Sequence, residues 1–396
     1  MTFHIRFSDS RELKDALAPH NSFAGKLHLG SSPLTKFTTK GHSVILTSFS
    51  QKGSYIDNFI AEVEYCLIEG EGEAVIPIDK LFKIATKLPQ GKEVEMWTEV
   101  DENLDLEDDN SITGELKIKC GKASFKLPLF NSDLYQPISF NEEKIVCQID
   151  IVSNKLLECL KKVGRFAPTS VNFATFNSFY FNYVNEAIDV VATNGKSINI
   201  CELIARVRTS DPENSKAIVP TESMKKVETA LSNLQYEGVV AIQVTDKRIK
   251  FVAGEYSFIL NLLNGTYPDY KSLTPTEFNN HFNVNPMVVK DVVERSVIFD
   301  EVEGVHAVLL KKTDEGLLLA NQAINKQGFE DTLDVDLTNC EDFSRSYNAK
   351  YILDTLSVQN GTDCRVDILK DGAFFIKSRT KEGMLMQCMV MPLRWS

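Results

Sequence analysis

AVIPIDKLFKIATKL at 74–88 and AIVPTESMKKVETAL at 217–231 share one plan. Each is a short apolar strand, then a proline, then apolar residues recurring at helical spacing. Proline fixes φ and lacks an N–H, so it suits the first turn of a helix and marks the switch from strand to helix in both. In the first copy Ile78, Leu81, Phe82, Ala85 and Leu88 fall on one face at about 100° per residue. A weaker third copy is FSRSYNAKYILDTL at 343–356, with Asn348 in the proline's place.

Working outward, each copy is followed by period-two alternation, the signature of half-buried antiparallel strands. EVEMWTEV and ELKIKCGKASFKLPLF follow the first copy, VVAIQVTDKRIKFVAGEYSFILNLL the second, and CRVDILKDGAFFIKS with MLMQCMVMPL the third. A further helix opens each block: DSRELKDALAPH near residue 9, SNKLLECLKKVGRF near 153 and NPMVVKDVVERSVIF near 285. The chain therefore reads as three α+β domains over 1–143, 144–276 and 277–396, each with two helices packed on antiparallel sheet. Repeats of this length are too long for a solenoid. The acidic run EVDENLDLEDDN at 99–110 has the composition of a solvated loop or insertion.

At 396 residues, 43% hydrophobic and 25% charged, the chain has the make-up of a soluble globular protein of several domains. No stretch approaches the roughly 18 apolar residues of a membrane span. The opening MTFHIRFSDSRELK has no apolar core of a signal peptide, so the cytoplasm is the expected compartment. Eight cysteines at 66, 120, 147, 159, 201, 340, 364 and 388 form no C-x-x-C pair and have no histidine at ligand spacing. They are expected to be free thiols serving as small apolar residues, with no metal and no cofactor.

VATNGKSINI at 191–200 contains Gly195-Lys196-Ser197, the tail of a phosphate-binding P-loop. The full motif needs a glycine where this chain has Val190, and β-branched residues resist the φ > 0 geometry of such a loop. The flanks, EAIDVVAT and INICELIARV, read as strands, where a P-loop must open a helix. A glycine turn between two strands is the expectation. No H-E-x-x-H, G-x-S-x-G or G-x-G-x-x-G occurs, and the six histidines are dispersed, so no catalytic residue is assigned.

Net charge is −12, but it is unevenly spread. The six helical segments (9–20, 77–88, 153–165, 220–231, 286–297 and 348–357) hold 14 Lys and Arg against 10 Asp and Glu. Lys80, Lys83 and Lys87 fall opposite the apolar face of their helix. Lys155, Lys161, Lys162 and Arg165 cluster away from the stripe of Leu156, Leu157, Leu160 and Val163. Lys225 and Lys226 repeat the pattern in the second copy. Basic helices on an acidic chain suggest one shared surface facing a polyanion.

These residues resemble the β subunit of bacterial DNA polymerase III, the sliding-clamp family, along nearly the whole chain. EAVIPIDKLFKIATKLPQGKEVEM is similar to that family's strand–helix–strand segment. VVATNGKSINI stands where the family has A-T-D-G-H-R-L. NGTYPDYKSLTP at 264–275 matches its D-G-R-F-P-D-Y loop, and VMPLRWS its closing V-M-P-M-R-L. The resemblance implies a head-to-tail homodimeric ring whose helices surround duplex DNA without reading sequence. It also implies a cleft that docks short linear peptides of polymerase and clamp loader. Carried over by motif, the cleft comprises Thr193, Gly195, Lys196, Ser197, Ile198, Pro268, Ser272, Leu273, Met389, Met391, Pro392, Leu393 and Arg394, with Phe176 and Phe375 from less similar flanks. Motif position places Phe125 and Leu127 in one half of the dimer interface and Ile298 and Phe299 in the other. Lys196-Ser197 for His-Arg, Ser272 for a basic residue, the Trp395-Ser396 end and the run at 99–110 depart from the pattern. Two other readings stand beside it: a clamp-like scaffold that no longer encircles DNA, and an enzyme supported only by the P-loop-like turn.

Overall fold

The computed structural model describes residues 2–25, 32–52, 55–100, 112–140, 143–169, 175–184, 187–209, 216–274, 280–299, 305–321, 328–338 and 340–394. The acidic run beyond Val100, and Trp395 with Ser396, lie outside the described residues.

Among the described residues six α-helices occupy the segments expected of them: α1 Ser10–Phe23, α2 Ile78–Ala85, α3 Ser153–Val163, α4 Thr221–Leu234, α5 Pro286–Ser296 and α6 Ala349–Ser357. Their starts are chemically marked. Asp9 caps α1 by accepting from Arg11 N, and Glu12 returns the favour to the Asp9 N–H, completing a capping box. Asn285 and Pro286 open α5. Asn348 caps α6 by accepting from Lys350 N at 3.0 Å, so a side-chain acceptor does in the third copy what proline does by pre-setting φ in the others.

The chain divides into two compact units, one of residues 1–157, 207–215 and 222–262, the other of 158–206, 216–221 and 263–396. In the first, 14 strands form one sheet, every described pairing antiparallel. It is continuous because Tyr256–Asn261 pairs with Tyr55–Val63, Phe258 opposite Phe59. Helices α1 and α2 cover a core that includes Leu13, Leu17, Ile76, Leu81, Met96 and Ile118. In the second unit, an eight-stranded antiparallel sheet runs from Lys216–Pro220 through Ser178–Val184, Ala187–Thr193 and Ser197–Ile204 to Leu385–Val390, Phe374–Arg379, Cys364–Ile368 and His281–Val284. A four-stranded sheet (Glu330–Leu333, Gly316–Ala320, Ala307–Thr313, Ser344–Asn348) lies in the same unit, and α5 and α6 bury Val289, Val293, Ile352 and Leu356 in its core. Sheets thus run across the boundaries drawn at 143/144 and 276/277. The joints are made by backbone pairing, which leaves no mark in composition.

None of the eight cysteines is in a disulfide, and all but Cys66 are buried. Among the described residues no helix is long and apolar enough to cross a membrane.

Candidate functional site

Residues 191–200 form a β-hairpin turn. Gly195 sits at φ +80, in the left-handed region that glycine adopts without strain, and the Asn194 N–H donates to Ser197 O at 3.2 Å. The Asn194 Oδ1 accepts from Lys196 N and Ser197 N at 2.8 and 2.7 Å. The Thr193 hydroxyl accepts from Gly195 N and donates to Ser197 O. The amides that a P-loop would turn towards phosphate are therefore bound within the turn, and both flanks are strands. A Cβ added at Gly195 would stand 3.2 Å from Phe176 Cε2, which brings Phe176 to the turn.

One side of this hairpin, Ser197–Ile204, hydrogen-bonds to Leu385–Val390 with Ile198 opposite Met389, and Met389 is opposite Phe375 on the next strand. Three residues from distant parts of the sequence thus lie in one row across three strands. They form an apolar cluster with Tyr180, Val191, Ile200, Ile218, Tyr267, Tyr270 and Ala373, and Leu263, Leu369 and Met391 pack against it half-buried. The segment after the last strand stays beside the turn, because Met391 N donates to Lys196 O at 2.8 Å and Leu393 N to Ser346 O at 2.7 Å.

The loop from 264 carries Pro268, Ser272 and Leu273 and is held chiefly by two tyrosines. Tyr267 stacks on Tyr180 with centroids 4.4 Å apart. Tyr270 donates to Asp189 Oδ2 at 2.5 Å and accepts from Asn182 Nδ2 at 2.7 Å. Burial raises the Asp189 carboxyl above the ordinary range, and the Tyr270 hydrogen bond opposes that rise.

The structure therefore brings the turn, the loop and the C-terminal segment to one cluster. Within it the residues divide by depth. Ile198, Phe375 and Met389 are buried floor. Phe176, Pro268, Met391, Pro392 and Leu393 are half-buried, and Gly195, Lys196, Ser272, Leu273 and Arg394 are exposed. Thr193 and Ser197 are buried and serve the turn itself. Tyr180, Tyr267, Tyr270, Asp189 and Asn182 were not among the residues expected from sequence; the Pro-Asp-Tyr spacing was the available signal for Tyr270.

The basic faces need two corrections. Lys162 is only 9% exposed, and its ammonium donates to Val358 O and Asn360 Oδ1, both at 2.7 Å, and pairs with Glu158 at 3.2 Å. It caps the C-terminal end of α6, where a cation complements the helix dipole, and does not face solvent. Lys226 is half-buried, bonded to the Ser50 hydroxyl and 5.9 Å from the centre of the Phe23 ring; burial lowers its pKa against the pull of Asp57. Lys80, Lys83, Lys87, Lys161, Arg165 and Lys225 are exposed, and Lys155 is half-buried. Of the four interface residues, Ile298 is 76% exposed, Phe125 and Phe299 are half-buried, and Leu127 is buried in the core of its own unit. That last placement corrects its assignment to an interface.

Two models of the DNA polymerase III beta subunit match the chain: that of the central domain over residues 150–269 and that of the C-terminal domain over 271–394. Together they take in well over half of it. The chain belongs to the DNA polymerase III β-subunit family. Among curated members of this sliding-clamp family, the beta sliding clamp of Bacillus subtilis (strain 168) is 22% identical over 345 residues, 86% of this chain and 85% of that protein. The crystal structure of the B. subtilis DNA polymerase sliding clamp superposes with a TM-score of 0.84 at 18% identity, covering 100% of both chains. That of the Pseudomonas aeruginosa sliding clamp, bound to griselimycin, gives 0.84 at 17% identity, again covering 100% of both. At such identity the superpositions speak for the fold, which is that of the β subunits.

Proposed function

We propose that this protein is a DNA sliding clamp, a processivity factor without catalysis of its own. As a homodimeric ring in the cytoplasm it would encircle duplex DNA and tether polymerase, clamp loader and other replication proteins by short peptides. The observation that carries the reading is the match to both β-subunit models on a chain with the matching fold. The division at 1–143, 144–276 and 277–396 is supported by the matched ranges, by the thrice-repeated strand–helix plan and by the recurring joint. The last strand of the middle block pairs with the first block, and the last strand of the third with the middle. By the same rule Ala123–Phe130 of one copy would pair with Glu330–Leu333 at the edge of the four-stranded sheet in another. Ala123–Phe130 meets Glu73–Pro77 only at Val75 and Phe130, and Ile298 is exposed beyond α5. A heterologous contact of this kind closes into a ring when the rotation suits.

The DNA-facing residues we assign are Lys80, Lys83, Lys87, Lys155 and Lys225 in the first unit and Lys161 and Arg165 in the second. Flexible lysines contacting phosphates hold DNA without reading bases, which permits sliding. The peptide site is the apolar cluster under the 193–198 turn, walled by Pro268 and Leu273 on the loop and Met391 to Arg394 on the tail. Half-buried methionine over a buried floor suits an adaptable groove.

Primer extension on a singly primed circular template, with polymerase and loader from the same source, tests this. Product length per binding event should rise on adding the protein, and the pure protein should release no phosphate from ATP. Unchanged products, or ATP hydrolysis without loader, would count against the clamp.

A further inference from the structure

One polar atom in the apolar cluster has no role in the packing. Tyr267 is 7% exposed, and its hydroxyl finds no hydrogen-bond partner among the described residues. Tyr270, three residues later, shows how the same sheet treats a hydroxyl that fixes the loop: it gives it both an acceptor and a donor. The Tyr267 ring already does its packing by stacking on Tyr180, and a phenyl ring would stack as well. A buried hydroxyl without a partner is less favourable than the phenylalanine that fills the same volume. The D-G-R-F-P-D-Y loop that this segment resembles has phenylalanine there. Tyr267 itself belongs to the cluster of Ile198, Phe375 and Met389, against which the half-buried Met391 packs.

We propose that the Tyr267 hydroxyl is a specificity-determining group of the cleft, donating a hydrogen bond to a carbonyl oxygen of the docked peptide. The proposal rests on the peptide-site reading above. Burial, with Tyr180 alongside, pushes the phenol well above its ordinary value, so it remains a donor through the neutral range and needs an acceptor. A carboxylate is a poor complement, since an apolar cluster penalises its charge; an amide carbonyl is a good one. Met391 packs half-buried against the same cluster, and a flexible thioether there can give way to an incoming peptide. A site with a buried donor discriminates against ligands that cannot satisfy it.

The test uses fluorescence anisotropy with labelled hexapeptides bearing leucine and phenylalanine anchors. Each remaining position in turn carries Gln or its near-isostere Met. Wild type, Tyr267→Phe and Met391→Asp are compared, with thermal melts of all three. Tyr267→Phe should melt at or above wild type yet bind about tenfold more weakly, a pairing of effects that a purely structural hydroxyl would not produce. Loss confined to Gln peptides identifies a side-chain amide as the acceptor. Equal loss for Gln and Met peptides identifies a main-chain carbonyl. Unchanged affinity in Tyr267→Phe for every peptide that wild type binds overturns the proposal and leaves the cleft standing. A clearly lowered melting temperature overturns it too, by showing that the hydroxyl serves the fold. No binding by wild type to any peptide removes the cleft reading and the proposal with it.

Discussion

Asp189 and Tyr270 hold the loop that we propose as one wall of the cleft, and their link has a pH signature. The Asp189 carboxyl is raised in the folded protein by burial. The folded state therefore binds its proton more tightly than the unfolded chain, and this group's contribution to stability declines as pH rises through the window above the ordinary value of 3.8. Asp189→Asn keeps an acceptor for Tyr270 and removes the titration. Its melting temperature relative to wild type should therefore climb between pH 4 and pH 7; a constant difference would show that the carboxyl is not perturbed. Ile198 and Met391 behave differently because of depth. Ile198 is 4% exposed, so Ile198→Asp should cost about 3 kcal/mol or more and unfold the region as well as abolish binding. Met391→Asp, at a half-buried position, should abolish micromolar peptide binding with a shift of no more than a few degrees in melting temperature. The segments that meet in this cluster were legible in the sequence, but the depth of their residues was not. Burial at Ile198 depends on Met389 and Phe375, far along the chain, and no local pattern encodes that.

At the scale of elements, the helices were legible because an apolar face at 3.6-residue spacing and an N-terminal proline or cap are local signals. The same holds for the Gly195 turn. Gly195→Ala should cost about 1–2 kcal/mol, since alanine meets both the φ of +80 and Phe176, and urea denaturation measures it. An effect below a few tenths would mean that the turn relaxes. Lys162 was the element-scale failure. On its own helix it belongs with its basic neighbours, but its partners Val358 and Asn360 lie 196 and 198 residues away. The two kinds of lysine predict opposite outcomes. Charge reversal to Glu at Lys83, Lys161 and Arg165 should weaken retention on circular DNA, steeply with salt, and leave the melt unchanged. Lys162→Glu should lower stability by about 3 kcal/mol, because it sets a second carboxylate beside Glu158 and the α6 carbonyl end.

At the scale of the whole molecule, the repeated strand–helix plan could be read from sequence, whereas the sheets that run across the boundaries drawn from it could not, because main-chain pairing at Ile198/Met389 or Phe258/Phe59 has no side-chain signature. Those two joints are the guide to the third that we propose between two copies. Ile298→Asp changes an exposed residue and should leave the fold intact while shifting the protein from dimer to monomer in sedimentation, because an interface core does not accept an unpaired charge. The acidic remainder of a chain with net charge −12 repels DNA that is not threaded, so tight binding should come from topology and not from contact strength. Whether the protein encircles DNA is measured directly by its retention on a nicked circular plasmid after loading, followed by linearisation. The protein should stay on the circle through gel filtration at moderate salt and be lost once the plasmid is cut; retention that is the same before and after cutting would mean that it does not encircle DNA.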